Sequence, residues 1–211
     1  MKSLVRTLLL VAFQPLSSLC ATVNLTASPL ILLPPNQFEN LSLRPNGFIL
    51  ATTSGPTSAV YQIDPSLNQS QPPHLIVSFP GARGSFGITS FEAEPDVFYV
   101  AIGNVTFDGT TVSEADACAI WILNLNCSPI KTEKLLDLPE GACINGMTSI
   151  PGFLLGADSV NGVVWSISLP EGKVKAAVND ASMQRPAGSL ELAINGLKYF
   201  GREIYCEISG L

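Results

Sequence analysis

One strand–turn–strand pattern is written four times along these 211 residues. It reads ENLSLRPNGFILATTS at 39–54, SFGITSFEAEPDVFYVAIGN at 85–104, INGMTSIPGFLLGADS at 144–159 and INGLKYFGREIYCEIS at 194–209. Each copy begins as a short strand containing Asn or Gly, turns on Asn-Gly, Pro-Asp, Pro-Gly or Gly-Arg, and returns as a second apolar strand. With Leu41, Gly87, Gly146 and Gly196 taken as equivalents, the copies are spaced by 46, 59 and 50 residues. A lone hairpin cannot bury both of its faces, whereas copies arrayed around an axis bury one another. A period of this length, made of strands with no helical stretch inside it, predicts an all-β fold of propeller blades.

The intervals between copies supply the outer strands. SAVYQIDP at 58–65 and LIVSFPG at 75–81 complete a first blade. AIWILNLN at 119–126 and KTEKLLDLP at 131–139 complete a second, after a polar loop at 105–117. GVVWSISLP at 162–170 and KVKAAVND at 173–180 complete a third. The fourth copy stops after its second strand, so about three and a half blades are expected. An open half-blade leaves strand-edge groups unpaired, and we therefore expect the product of a longer gene, inactive unless a longer form exists. Sixteen prolines beside 17 glycines, in a chain that is 46% hydrophobic and 13% charged, suit an all-β protein with dense turns.

The first 21 residues stand apart. Lys2 and Arg6 precede the apolar run TLLLVAF at 7–13, followed by the small residues SSLCA at 17–21. This predicts a secretory signal peptide at 1–21 and a partial propeller domain at 22–211. Five sequons agree with export and mark Asn24, Asn40, Asn68, Asn104 and Asn126 as glycosylation candidates. Loss of the leader removes two basic residues and no acidic ones, leaving nine basic against seventeen acidic side chains. That acidic balance excludes nucleic acid and anionic membranes as partners, and a small-molecule partner is expected. The exported chain keeps Cys118, Cys127, Cys143 and Cys206, in a compartment that permits disulfides.

Strand direction fixes which residues meet. If Asn145 opens an inner strand on one face of the disc, the Pro151-Gly152 turn lies on the other face and the return strand brings Asp158 back. The same construction puts Glu39, Asn40, Phe86, Asn195 and Glu207 around the central opening, where propellers gather ligand contacts. Cys118 and Cys143 fall on that face and Cys127 on the other, so Cys118 is expected nearer Cys143. For Glu39 and Asn145 a structural alternative remains open, because such residues also cap strand starts and turns. Histidine occurs once, as His74 in the loop NQSQPPHL, which leaves Ser-His-Asp or Cys-His chemistry without a placed base. Trp121 and Trp165 are expected as core residues between blades.

The unit NG-x-x-x-x-(P/F)-G ending in ADS, with VVWSISL after it, resembles the six-bladed propellers of the SMP-30/gluconolactonase and strictosidine-synthase-like group. FENLSLRPNGFILATTSG, GITSFEAEPDVFYVAIGN and AINGLKYF look more like secreted fungal propellers of the hetero-Diels-Alderase type. The resemblance implies an incomplete six-bladed propeller serving secondary-metabolite biosynthesis, joining an enone-type quinone methide to a terpene alkene. It implies catalytic roles for Asn145, Asn195 and Asp158, and substrate contacts from Glu39, Asn40 and Phe86, with no cofactor. The lactonase members instead hold a divalent cation such as calcium. Glu39 and Asn145 match that ligand set, while Asn195 stands where an aspartate belongs. A binding propeller without chemistry is the third expectation.

Overall fold

The computed structural model describes residues 35, 37–67, 71–104, 116–185 and 192–208. Within them the first blade holds β1 (Gln37–Leu43), β2 (Ile49–Ser54), β3 (Ala59–Ile63) and β4 (His74–Ser78). The second holds β5 (Gly84–Ser90), β6 (Val97–Asn104), β7 (Asp116–Asn124) and β8 (Lys131–Asp137). The third holds β9 (Ile144–Ile150), β10 (Phe153–Asp158), β11 (Val163–Ser168) and β12 (Val174–Asn179). A short 3₁₀ turn at Ala181–Met183 leads to β13 (Ile194–Phe200) and β14 (Glu203–Ile208). Within each blade every strand pairs antiparallel with the next. The chain is an incomplete β-propeller of about three and a half blades.

Burial explains the strand sequences. The second strand of a blade lies between two neighbouring blades, so both its faces must be apolar. In β6 all but the two terminal residues are buried, which is why VFYVAIGN lacks the polar alternation of a half-exposed strand. The outermost strands carry the charge instead, as in KTEKLLD of β8, where lysines discourage edge-to-edge pairing. Three apolar seams separate the blades. Leu50, Val60, Ile88, Phe98 and Leu123 fill the first, Tyr99, Ile120, Ile144, Met147 and Leu154 the second, and Leu155, Val164, Ile194 and Leu197 the third. Trp121 packs against the first seam, its ring edge-on to Phe79 at 5.6 Å, and Trp165 against the second.

The inner strands β1, β5, β9 and β13 stand side by side around the axis, and each is interrupted by a β-bulge at the same level. Register shifts fall between Phe38 and Leu41, between Ser85 and Ile88, beside Asn145, and between Ile194 and Leu197. The bulged pairs are thus Glu39-Asn40, Phe86-Gly87, Asn145-Gly146 and Asn195-Gly196. This corrects the sequence alignment by one residue: Asn40, not Leu41, is the equivalent of the three glycines.

The bulge turns the carbonyl of its first residue toward the preceding blade. Phe86 O accepts from Thr52 Oγ1 at 2.7 Å, and Asn145 O lies over Gly87, where a Cβ would come within 2.8 Å of it, while also accepting from Asn40 Nδ2 of the first blade at 3.1 Å. Asn195 O lies over Gly146, where a Cβ would come within 2.2 Å of it. Glycine at the second bulge position therefore lets adjacent blades close together. Gly146→Ala is expected to lower the free energy of urea unfolding by about 2 kcal/mol through overpacking against backbone. Thr132→Ala on the exposed outer strand should change it by less than about 0.5 kcal/mol.

Candidate functional site

The first bulge residue of each blade faces the axis, and this repetition builds a cavity at one mouth of the disc. Its volume is about 430 Å³, and Glu39, Phe86, Asn145 and Asn195 all line it. Ser54 and Ser159, at the ends of returning strands, line it as well. The inner hairpins thus bring their starts and finishes to one face, as strand direction requires. A cavity of this size falls in the range of small-molecule sites, roughly 300–1,000 Å³.

Asn145 is the most constrained of these side chains. It is 9% exposed, and Asn40 Nδ2 bridges its backbone oxygen and its Oδ1, the latter at 3.4 Å. A donor at Oδ1 leaves the Asn145 amide hydrogens for a ligand. Asn40 itself does not line the cavity, and its amide is taken up by Asn145 of the third blade. The Glu39 carboxylate accepts from Ser54 Oγ at 3.2 Å. Arg83 contributes the one guanidinium among the described lining residues, opposite in charge to Glu39. Arg83 sits in Gly81-Ala-Arg-Gly84, which in sequence has the character of a connection between blades. Each connection must end just above the inner strand it feeds, and that is the signal by which Arg83 could have been found.

Asp158 is placed differently from its neighbours. It is fully buried and does not line the cavity. Its Oδ1 accepts from the backbone N–H groups of Val160 and Asn161, each at 3.0 Å. Its Oδ2 accepts from Asn161 Nδ2 at 2.9 Å and from Trp165 Nε1 at 2.8 Å. Four donors hold the carboxylate in the turn between β10 and β11, a structural arrangement that ties this turn to the Trp165 indole. Glu207 stands opposite the bulge of β13, its side chain against Gly196. His74 lies at the exposed start of outer strand β4, remote from the mouth.

Two buried cysteines stand at the cavity wall. Cys118 and Cys143 share a side-chain hydrogen bond, and Cys143 lines the cavity. Cys127 lies in the turn after β7, at the other end of that strand. The hydrogen bond from Cys143 and a further one from the Asn104 backbone draw the Cys118 thiol down, against the opposing effect of burial. The Cys143 thiol is pushed well up by the hydrogen bond with Cys118, by burial, and by the nearby carboxylates of Asp158 and Glu39. Among the sequon residues, Asn126 is exposed, and Asn104 is partly buried with its Oδ1 unpartnered among the described residues. The leader, Asn24 and Asn68 lie outside the described residues.

A larger groove of about 1180 Å³ opens on the opposite face, lined by Phe91, Glu94, Tyr99, Pro151, Leu169 and Tyr199 among others. The buried Tyr99 hydroxyl donates to Glu94 Oε2 at 2.9 Å.

Comparison with known proteins bears on the fold. No family model matches the chain, and no curated protein matches it. Among solved structures, a chain of the nidogen/laminin complex superposes with a TM-score of 0.57 at 11% identity, over 84% of this chain. The likeness is to a β-propeller. This chain spans 59% of that chain's length, and at so low an identity the shared property is the fold alone.

Asp158→Ala is expected to cost about 2–4 kcal/mol in urea unfolding, because it removes a fully buried carboxylate that accepts four hydrogen bonds in the β10–β11 turn. Burial, then the hydrogen bond and charge of Glu94, raise Tyr99 from 10.0 to about 12. A raised acid favours the folded state at low pH, so this contribution is full below pH 10 and lost as the pH climbs through about 12. Alkaline unfolding followed by circular dichroism should show that loss, and Tyr99→Phe should remove it.

Proposed function

We propose that the central cavity binds a neutral, oxygen-bearing small molecule, and that the reaction it serves is a cycloaddition of the hetero-Diels-Alderase type. The observation that carries this reading is the cavity lining: the amides of Gln37, Asn145 and Asn195, an aromatic ring, and one carboxylate balanced by one guanidinium. A pericyclic step transfers no proton, so it needs no acid–base pair. It needs two partners held in reacting geometry and a donor that draws electron density from the enone oxygen. Asn145 Nδ2 would supply that donor, with its direction fixed by Asn40. Phe86 would offer the apolar wall against which a terpene alkene rests, and Asn195 would contact the same substrate from the next blade. Export through a leader, with glycans on exposed sequon asparagines such as Asn126, is part of the same proposal, while Asn40 keeps its amide on Asn145.

The donor set suits a divalent cation poorly. Hard cations gather several anionic oxygens, whereas only Glu39 is charged among Glu39, Asn145 and Asn195. The Arg83 guanidinium on the same wall opposes a further positive charge. Metal-dependent lactone hydrolysis is therefore disfavoured by the residues at this mouth.

The test is turnover of an enone-type quinone methide with a sesquiterpene alkene, followed by chromatography of the adduct. Asn145→Ala should lower the rate about ten- to a hundredfold while circular dichroism and the urea midpoint stay near those of the parent. An equal rate in the variant, or calcium-dependent lactone hydrolysis by the parent, would overturn the reading.

A further inference from the structure

We propose that Cys118 and Cys143 are a modification site, joined by a disulfide in the exported protein. The path of the chain brings them together. Cys118 lies near the start of β7, and its carbonyl accepts from Leu138 N at 2.8 Å, just after β8 ends. A turn closed by Ala142 N on Pro139 O at 3.0 Å, with Gly141 at a φ of +74°, then reverses the chain. Cys143 emerges facing Cys118, and Ser159 N donates to its carbonyl at 3.2 Å, fixing it from the other side. Both residues are 4% exposed and belong to the same apolar seam.

The surroundings suit a disulfide better than a thiolate. The carboxylates of Glu39 and Asp158 act against negative charge on Cys143, and a disulfide carries none. Space for Cys118 is set by Gly103 on β6, where a Cβ would lie 2.3 Å from the Cys118 sulfur. Both side chains lie in the one apolar seam and interact there, and a disulfide requires their rotation to a sulfur–sulfur bond of about 2 Å.

The oxidant is a small-molecule disulfide of the glutathione class. One thiol of the pair loses its proton and attacks, and a mixed disulfide forms as one oxidant thiol departs. The second cysteine loses its proton and displaces the other oxidant thiol. Two electrons pass to the oxidant, whose S–S bond becomes two thiols. Cys143 opens onto the central cavity, which gives the oxidant its approach. The bond would tie the connection feeding β9, and with it Asn145, to the second blade. It closes a loop of roughly 25 residues and restricts the unfolded chain accordingly.

The proposal is independent of the reaction assigned to the cavity and is tested without substrate. The full chain is equilibrated with oxidised glutathione, unfolded, alkylated without reductant, digested and read by mass spectrometry. A crosslinked Cys118–Cys143 peptide is expected, with Cys127 and Cys206 alkylated or glutathionylated. The oxidised chain should melt about 5–10 °C above the same chain in reductant. A Cys118→Ser/Cys143→Ser variant should show no such difference between the two conditions. Because the parent alone is compared with and without reductant, the test stands even if the variant fails to fold. Complete alkylation of Cys118 and Cys143 after oxidation, or a crosslink from either to Cys127 or Cys206, would overturn the proposal.

Discussion

The close approach of neighbouring inner strands is the constraint on which the molecule depends. Blades can share apolar seams only if β1, β5, β9 and β13 lie nearly in contact, and a regular strand holds its side chains in the way. The bulge at the same level of each inner strand resolves the conflict. It presents one carbonyl to the preceding blade and places a glycine where the following blade arrives, as at Gly87 and Gly146. In the first blade Asn40 takes the glycine's position, and its side chain reaches past the second blade to Asn145 of the third.

The same bulge creates the cavity. Two residues on the inner strand oppose one on its partner, so the first of the pair is turned toward the axis. Four blades then deliver Glu39, Phe86, Asn145 and Asn195 to a common level. Chemical variety at the mouth therefore comes from exchanging one residue per blade, and of the four Phe86 also packs into the apolar seam behind the mouth. Stability and site are separated by strand depth: Leu154 and Ile144 hold the seam, while Asn145 faces the opening.

Polar groups deeper in the wall serve the frame. Asp158 satisfies donors from its own turn and from Trp165, so its burial anchors the β10–β11 turn beneath the mouth. Cys118 and Cys143 connect the wall laterally, across the seam between the second and third blades. A carboxylate at the end of an inner hairpin reads in sequence like a ligand-facing group. Only the depth of the turn decides whether water or donors surround it.

The residues by themselves determined the propeller, because a repeated hairpin with apolar strands and Asn-Gly or Pro-Gly turns has few ways to bury both faces. They also determined which face carries Glu39, Phe86, Asn145 and Asn195, since strand direction alone returns the inner starts to one side. The tertiary structure decided the register. A bulge adds one residue without changing the hydrophobic pattern beyond it, so Leu41 and Asn40 could not be distinguished as equivalents of Gly87. Strand direction had already set Cys118 nearer Cys143 than Cys127, whereas the tertiary structure also decided contacts between segments far apart in sequence, Asn40 with Asn145 and Arg83 at the mouth. Such contacts follow from how blades are spaced and how connections fold back, and no local pattern encodes either distance.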